Sequence, residues 1–316
     1  MELEDKPLVS VIMPAFNAEK FIEQAITAII NQTYQNWELL ISDDASTDKT
    51  KNIINKFTDP RIKRFYNTKN LGYLETWNRL MKEANGEFIT FQDADDLCAE
   101  NRIESLLHQL QNNSDLAVVG SNFQRINALD MVVETSHFPL SHEEVFNALP
   151  NKFHFIGSAL MIRKTVYDAI GGYHTFFNRM GAEDHYWVYL IIEQFKFKNI
   201  SAPLYYYRFN ETSVTGNISN NPSKINVPII LEYLINQRKE TGTDDLQEGK
   251  IDELTEKLNK LNKPFNDDKS FYFYYVAKRR FYEGLKQLAL QNLRKAIKMS
   301  PFNLRYYKDY IYFLRN

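Results

Sequence analysis

Short apolar runs alternate with helical patterns through the first 120 residues. Residues 8–13 form an almost unbroken apolar run, as a buried strand requires. Asn17 is placed to cap a helix reaching about Ile30, with Phe21, Ala25 and Ile29 on one face. A second strand over 37–42 leads into Asp44-Ala-Ser-Thr-Asp48, a turn and cap before a helix over 49–57. A third strand covers 62–66. A helix over 74–84 is ended by Asn85-Gly86, and a fourth strand covers 88–91. A helix over 102–111 and a strand over 116–120 follow. This alternation predicts an α/β fold, a mainly parallel, Rossmann-like sheet with helices on both faces.

The middle third is less regular. Residues 123–127 and 131–134 suggest a hairpin, 155–162 and 204–209 are strand-like, and 183–195 is helical. Asn and Ser crowd into 217–224, which divides the chain into a larger domain over 1–216 and a helical extension over 217–316. The extension begins with a polar helical stretch to about Asn262, then Pro264 and a short Asn-Asp-Asp turn. Ala277, Gly284, Ala289, Leu293, Ala296 and Pro301 are then spaced much like a single tetratricopeptide-type repeat. The plainer alternative is a helical hairpin docked on the larger domain.

Length and composition narrow this further. The chain has 316 residues, 44% hydrophobic and 25% charged, enough to bury a sizeable core. Its net charge of −2 gives no general attraction to nucleic acid. That charge is unevenly spread: residues 270–316 hold ten Lys and Arg against Glu283 and Asp309, a local +8, so the first 269 carry −10. Thirteen aromatic residues share that basic segment, which makes it a candidate docking surface for an anionic membrane. Cys98 is the single cysteine, so no intrachain disulfide forms. Residues 1–6 show no signal-peptide pattern, and no run approaches about 20 apolar residues. The expectation is a cytoplasmic protein whose only open membrane role is peripheral attachment to the inner face.

The strongest chemical signal is Phe88-Ile-Thr-Phe-Gln-Asp93-Ala94-Asp95-Asp96. A buried strand delivers three carboxylates at its C-terminal end, where open α/β sheets bind ligands. Adjacent carboxylates repel, so a cation or hydrogen-bond donors must compensate, and oxygen-only ligands suit Mg²⁺ or Mn²⁺. The structural alternative is a cap on the helix that follows. Asp43-Asp44 ends the second strand, where a carboxylate can accept from a base N–H or a ribose hydroxyl, or simply make a turn. Pro14-Ala-Phe16-Asn17 ends the first strand. Glu183-Asp184 opens an apolar helix and could be only a charged first turn. His137, His142, His154, His174 and His185 are dispersed, with His174 the one that could line a cleft.

Taken together, Val9-Ser-Val-Ile-Met-Pro14-Ala-Phe16-Asn17, Glu38–Asp48, Asn70-Leu-Gly72, Asn78, Gly86-Glu87-Phe88, Asp93-Ala94-Asp95-Asp96 and Gly181-Ala-Glu183-Asp184 resemble family 2 of the inverting glycosyltransferases. The resemblance covers about residues 7–215. It implies the A-type nucleotide-sugar transferase fold, a divalent metal (Mn or Mg) and a nucleotide-diphosphate sugar donor, UDP favoured over GDP. It implies a saccharide or lipid-linked saccharide as acceptor and a place in cell-surface polysaccharide synthesis. By position, Asp43 or Asp44 would read the base, and Asp93 would hold the ribose or join the metal shell. Asp95 would bind the cation with Asp96 nearby. Asp184 would be the general base, with Glu183 orienting it or binding acceptor. Pro14, Phe16, Asn17, Asn70, Gly72, Asn78, Ala94 and Arg208 would line the donor site, though Arg208 could instead be a structural ion-pair partner. One departure is Asn210, where the family often carries His. Three rivals remain: a sugar-nucleotide-forming nucleotidyltransferase, which would want a Gly-rich loop; a processive synthase, which would want membrane helices; and a weakly active or inactive scaffold acting through its C-terminal helices.

Overall fold

A computed structural model of the chain describes residues 6–209 and 221–315. The first half forms the expected units: β1 (Val9–Ala15), α1 (Ile22–Ile30), β2 (Trp37–Asp43), α2 (Thr50–Ile54), β3 (Ile62–Tyr66), α3 (Tyr73–Lys82) and β4 (Phe88–Phe91). These strands lie parallel in the order β3-β2-β1-β4, with Val9 opposite Trp37 on one side and Phe88 on the other. The chain continues through β5 (Leu97–Cys98), α4 (Arg102–Gln111), β6 (Leu116–Ile126), β7 (Val132–Thr135), α5 (His142–Ala148), β8 (Met161–Arg163), α6 (Lys164–Ile170), α7 (Glu183–Gln194) and β9 (Lys196–Arg208). β8 joins β4 antiparallel and links it to β6; β9 runs parallel to β6, β5 is antiparallel on β9, and β7 makes a hairpin with β6.

Alternation along the strands feeds two cores, one on each face. Val9, Val11 and Met13 of β1 join Leu39 and Ile41 of β2 under α1 and α4. Ile12, Leu40 and Ile89 point the other way, under α3 and α7. A strand covered on both faces must be apolar throughout, which is why these segments read as continuous runs.

Several expectations change. β1 runs through Pro14 to Ala15. Pro14 lies beyond Ile12, the last residue paired with β4, where a missing N–H costs little. Asn17 adopts φ 49° and does not cap α1, which starts at Ile22. The strand expected over 155–162 is only Met161–Arg163, preceded by a 3₁₀ turn at Gly157–Ala159. That turn presents the Ser158 carbonyl to the buried guanidinium of Arg102, 2.7 Å away. α6 had no counterpart in the sequence pattern.

Among its described residues the C-terminal segment holds five helices, more than one hairpin: α8 (Pro222–Thr241), α9 (Ile251–Asp267), α10 (Lys269–Tyr282), α11 (Lys286–Met299) and α12 (Leu304–Arg315). α9 runs through Pro264, and Asp268 of the expected turn caps α10 by accepting from Ser270 N at 2.8 Å. Val227, Ile230, Leu234 and Ile235 of α8, with Leu254 and Leu258 of α9, belong to the core that holds α3 and α7. The self-contained cluster is formed by α10–α12: Tyr274, Ala277, Ala289, Leu293, Ala296, Tyr306 and Phe313. The repeat-like alanines are therefore helix contacts inside a three-helix unit.

Gly86 shows how tightly β1 and β4 meet. A β-carbon there would lie 2.6 Å from Ser10 N, 2.7 Å from Leu8 O and 2.8 Å from Phe88 O, all backbone atoms that cannot swing aside. Gly86→Ala should destabilise the fold by about 3 kcal/mol, since overpacking against rigid backbone is expensive. Chemical denaturation checks this, and an unchanged midpoint would contradict the close approach.

Candidate active site

The strand order reverses between β1 and β4, so the loops leaving their C-terminal ends part and open a crevice. The loops after β1, β2 and β4 carry Phe16 and Asn17, Asp43 and Asp44, and Asp93–Asp96. Asn17 ties two of them together: its Oδ1 accepts from Thr47 N at 2.8 Å and its backbone N donates to Ser46 Oγ at 2.9 Å. Phe16 beside it is 48% exposed.

Asp43 and Asp44 have separate jobs. Asp44 accepts from Leu71 N and Gly72 N, both at 2.8 Å, and from Asn67 Nδ2 at 2.7 Å. It is the anchor of the 67–72 loop, and φ 94° at Gly72 shapes the entry to α3. Among the described residues the Asp43 carboxylate accepts only a long contact from Ser46 N at 3.4 Å, which leaves it with acceptor capacity. Asn70 is held by Arg179, whose Nη2 donates to its carbonyl and side chain at 2.9 Å each. Asn78 spends its amide on Tyr173, accepting from the backbone N at 2.8 Å and donating to the carbonyl at 2.9 Å, so it braces the Gly172-Tyr173 turn.

The carboxylates after β4 do not cap α4, whose cap residue is Asn101 and whose first turn begins at Arg102. Asp93 N donates to the Tyr205 hydroxyl at 3.1 Å, and Tyr73 Oη donates to Asp93 Oδ1 at 3.3 Å. Burial, then the neighbouring Asp95, pushes the Asp93 carboxyl up to about 7. Burial also raises Asp95. Asp96 rises well above the carboxylate range through burial, then Asp93 and Asp95, against the opposing pull of Arg208 N and the Tyr205 hydroxyl; its Oδ1 accepts from Arg208 N at 2.7 Å, and its buried Oδ2 makes no well-formed hydrogen bond among the described residues. Ala94 is buried in the turn between them.

Arg208 resolves toward its structural alternative. Its side chain is 1% exposed. The guanidinium donates to Asp95 O at 2.7 Å and Asn127 O at 3.2 Å, pairs with Asp130, and lies 4.5 Å over the Phe21 ring. It pins the Asp95 loop from behind without touching the Asp95 carboxylate. Arg102, fully buried, likewise serves Thr90 Oγ1, Phe91 O, Gln92 Oε1 and Ser158 O. Asn210 lies outside the described residues.

Across the crevice, three of four consecutive residues before α7 are left-handed: Arg179, Gly181 and Ala182. Two of them carry β-carbons, a strained turn of the kind that aims functional side chains. It sets Glu183 and Asp184 in the first turn of α7. Asp184 Oδ1 accepts from His185 N at 2.8 Å, and a β-carbon on Gly157 would lie 3.1 Å from Oδ2. Glu183 Oε2 is buried without a partner, and burial, then Asp184, raises that carboxyl to about 7. Asp93 adds to the rise and Lys224 of α8 opposes it, so both sides of the cleft share one field.

Sequence reasoning missed the phenols of this chamber. The hydroxyls of Tyr73 and Tyr173 are both raised, by burial first and then by acids that include Asp93, Asp184 and Glu183. The Tyr173 ring stacks on Trp77 at 3.9 Å, and a β-carbon on Gly172 would meet Asn78 Oδ1 at 2.3 Å. The Gly171-Gly172-Tyr173 run was the available signal. His174 accepts from Phe176 N and faces a separate cavity of about 150 Å³ beside Leu246 and Gln247. The larger hollow, about 630 Å³, lies at the opposite end of β4, lined by Lys6, Glu87 and Arg163, away from the carboxylates.

A parallel half-sheet with acids on both sides of its switch-point crevice defines an A-type transferase fold. The chain belongs to glycosyl transferase family 2, whose model matches residues 10–171. It is 39% identical over 123 residues to the UDP-Glc:alpha-D-GlcNAc-diphosphoundecaprenol beta-1,3-glucosyltransferase WfgD of Escherichia coli, covering 39% of this chain and 48% of that protein. It is 29% identical over 211 residues to the similarly described WfaP of Escherichia coli, 66% of this chain and 80% of that one. The chain spans about half the length of several curated relatives it matches, WfgD among them. Its fold resembles S. aureus TarS 1-349 solved in complex with UDP, with a TM-score of 0.60 and 20% identity over 93% of this chain and 81% of that one.

Glu183 generates a pH prediction. An acid with an ordinary value of 4.5 raised to about 7 holds its proton more tightly folded than unfolded. Its ionisation therefore costs no stability below pH 4.5, an increasing amount between pH 4.5 and about 7, and a constant amount above that. Glu183→Gln should stabilise the fold by about 1–3 kcal/mol at pH 8 and by almost nothing near pH 4.5. Thermal melts across that range check it, and identical pH responses of the two proteins would refute the buried-acid assignment.

Proposed function

We propose that this chain is an inverting glycosyltransferase that moves a single sugar from a nucleotide-diphosphate donor to a saccharide or lipid-linked saccharide acceptor in cell-surface polysaccharide synthesis. One observation carries the proposal. Asp93 and Asp95 leave β4 on one side of the crevice, Glu183 and Asp184 open α7 on the other, and their charges are felt across it. UDP is the favoured nucleotide: WfgD is described as acting on UDP-Glc, and TarS was solved with UDP and with UDP-GlcNAc. The diphosphoundecaprenol in the WfgD description supports a lipid-linked acceptor.

The roles follow from the free valences. Asp43, with unspent acceptor capacity, reads the base N–H, and the exposed ring of Phe16 offers it a stacking face. Asp44, Asn17, Asn70 and Gly72 hold the loops that shape this end. Tyr73 and Asp93 present a hydroxyl and a carboxylate to the donor sugar and ribose. Asp184 takes the proton from the acceptor hydroxyl as that oxygen attacks the anomeric carbon. The bond from that carbon to the diphosphate breaks in the same displacement, so configuration inverts. Glu183 and Tyr173 flank Asp184 and orient the acceptor.

A divalent cation fits the donor set. Among the described residues no three His, Cys, Asp or Glu side chains are gathered closely enough to hold a metal alone. Yet the carboxyls of Asp93, Asp95 and Asp96 are all pushed up, and Asp96 Oδ2 is an orphaned buried oxygen. Asp95, with Asp93 or Asp96, would hold Mg²⁺ or Mn²⁺ and leave the remaining positions to phosphate oxygens and water. Bound there, the ion would offset charge on the departing diphosphate.

Two experiments test the proposal. With Mn²⁺ or Mg²⁺, the protein should release UDP from a UDP-sugar, chelator should abolish turnover, and Asp95→Ala should lose metal-dependent UDP binding with the fold intact. Full activity in excess chelator would refute metal dependence, and no turnover with any nucleotide sugar would favour the scaffold reading. Asp184→Asn should leave donor affinity nearly unchanged and lower kcat by roughly 10²–10⁴. Loss of donor binding with normal turnover per bound donor would remove Asp184 as the base.

A further inference from the structure

α12 is apolar on two sides, and only one is used. Tyr306 and Phe313 turn inward and are buried in the three-helix cluster with Tyr274 and Ala277. On the opposite side of the helix, Leu304, Tyr307, Ile311 and Leu314 share a face at three- and four-residue spacing, and all are exposed. Leu304 is 81% exposed, and Phe302 in the turn before it is 94% exposed. Isolated exposed apolar residues are ordinary, but a contiguous set on one helix and its leading turn marks a contact surface.

The charge beside this face has one sign. Lys308 and Arg315 lie on the same side as Leu304 and Ile311, at four-residue spacing, and Lys298 precedes the turn. All three are exposed and form no ion pair among the described residues. The two acids of the segment are occupied elsewhere. Glu283 pairs with Arg279 and Arg280, and Asp309 accepts from the Tyr274 hydroxyl at 2.7 Å on the inward side. Three cations of the segment, Lys298, Lys308 and Arg315, are therefore displayed beside the apolar side chains with no acid of the segment to pair them.

We infer that the outer face of α12, with Phe302 leading, is a docking surface for an anionic lipid bilayer. The apolar side chains enter the headgroup boundary while Lys298, Lys308 and Arg315 meet lipid phosphates. The helix lies on the surface, since no described helix is long and apolar enough to cross a membrane. Charge decides between this occupant and a second copy of the chain. A twofold contact through α12 would bring the cations of this face together with those of the second copy and offer no acid of the segment to pair them, whereas an anionic bilayer neutralises them. The inference stands apart from the transferase chemistry, because no residue of this face belongs to the crevice.

Co-sedimentation of the full chain with phosphatidylcholine vesicles and with vesicles containing phosphatidylglycerol tests it. Binding to the anionic vesicles should be clear at about 50 mM NaCl and at least about tenfold weaker at 500 mM, with little binding to phosphatidylcholine alone. Phe302→Ser with Leu304→Ser and Ile311→Ser, all at exposed positions, should lower anionic-vesicle binding at least about tenfold while melting temperature and UDP binding without vesicles stay unchanged. Lys308→Gln with Arg315→Gln should weaken binding and flatten its salt dependence. No binding to anionic vesicles at low salt would overturn the inference, as would equal binding to both vesicle types. A concentration-dependent dimer that the apolar variant abolishes, with no vesicle binding, would assign the face to self-association instead.

Discussion

Carboxylates dislike one another and dislike leaving water, yet this chain sets Asp93, Asp95 and Asp96 across one crevice from Glu183 and Asp184. The loops that carry them are therefore fastened by groups that do not neutralise them. Arg102 and Arg208 are both buried beside the acidic loop after β4, and either could have paired with it. Each spends its guanidinium largely on carbonyls and amides: Phe91, Ser158 and Gln92 for Arg102, Asp95 and Asn127 for Arg208, with Asp130 as the only acid engaged. The loop is fastened through its backbone while its carboxyls, which form no ion pair among the described residues, stay raised. A cation or a sugar hydroxyl arriving there relieves a repulsion that folding has already imposed.

The same division of labour governs the side of the crevice that carries α7. Tyr173 is locked from three directions: Asn78 at its backbone, Trp77 at its ring face and Trp187 at its edge, with centroids 5.5 Å apart. Gly172 is required because no β-carbon fits against Asn78. Gly157 leaves room beside Asp184 in the same way. α7 is steadied at its far end, where Arg238 of α8 reaches Glu193 and, at 3.1 Å, Asp244, which also takes the Tyr186 hydroxyl at 2.7 Å. The helix that presents Glu183 and Asp184 is thus held at its far end by α8. Whatever α10–α12 do at a surface, α8 and α9 are part of the hydrophobic core that holds α3 and α7.

The strands and their order of chemistry were legible in the residues, because a sheet covered on both faces forces apolar runs and acids at strand ends stand out against them. The same residues distinguished neither Asp43 from Asp44 nor the two candidate roles of Arg208. Those choices depend on partners distant in the chain: Leu71 and Gly72 for Asp44, Asn127 and Asp130 for Arg208. Asn78 looked like a donor contact because of its motif, and only the approach of Tyr173, 95 positions away, shows its amide to be spent.

By itself, then, the sequence determined the alternating α/β architecture, the placing of Asp93–Asp96 at the end of β4 and of Glu183-Asp184 at the start of α7, and the basic, aromatic character of residues 270–316. Each of these is a local property of periodicity or composition. Tertiary structure alone decided which carboxylates are spent and which are free, that two phenols join the acids, that α8 and α9 complete the main core, and that α12 turns Tyr306 inward and Leu304 outward. The physical reason is common to all four. A side chain's role depends on which of its hydrogen-bonding valences and which of its faces remain unfilled after folding, and those are filled by residues far away in sequence.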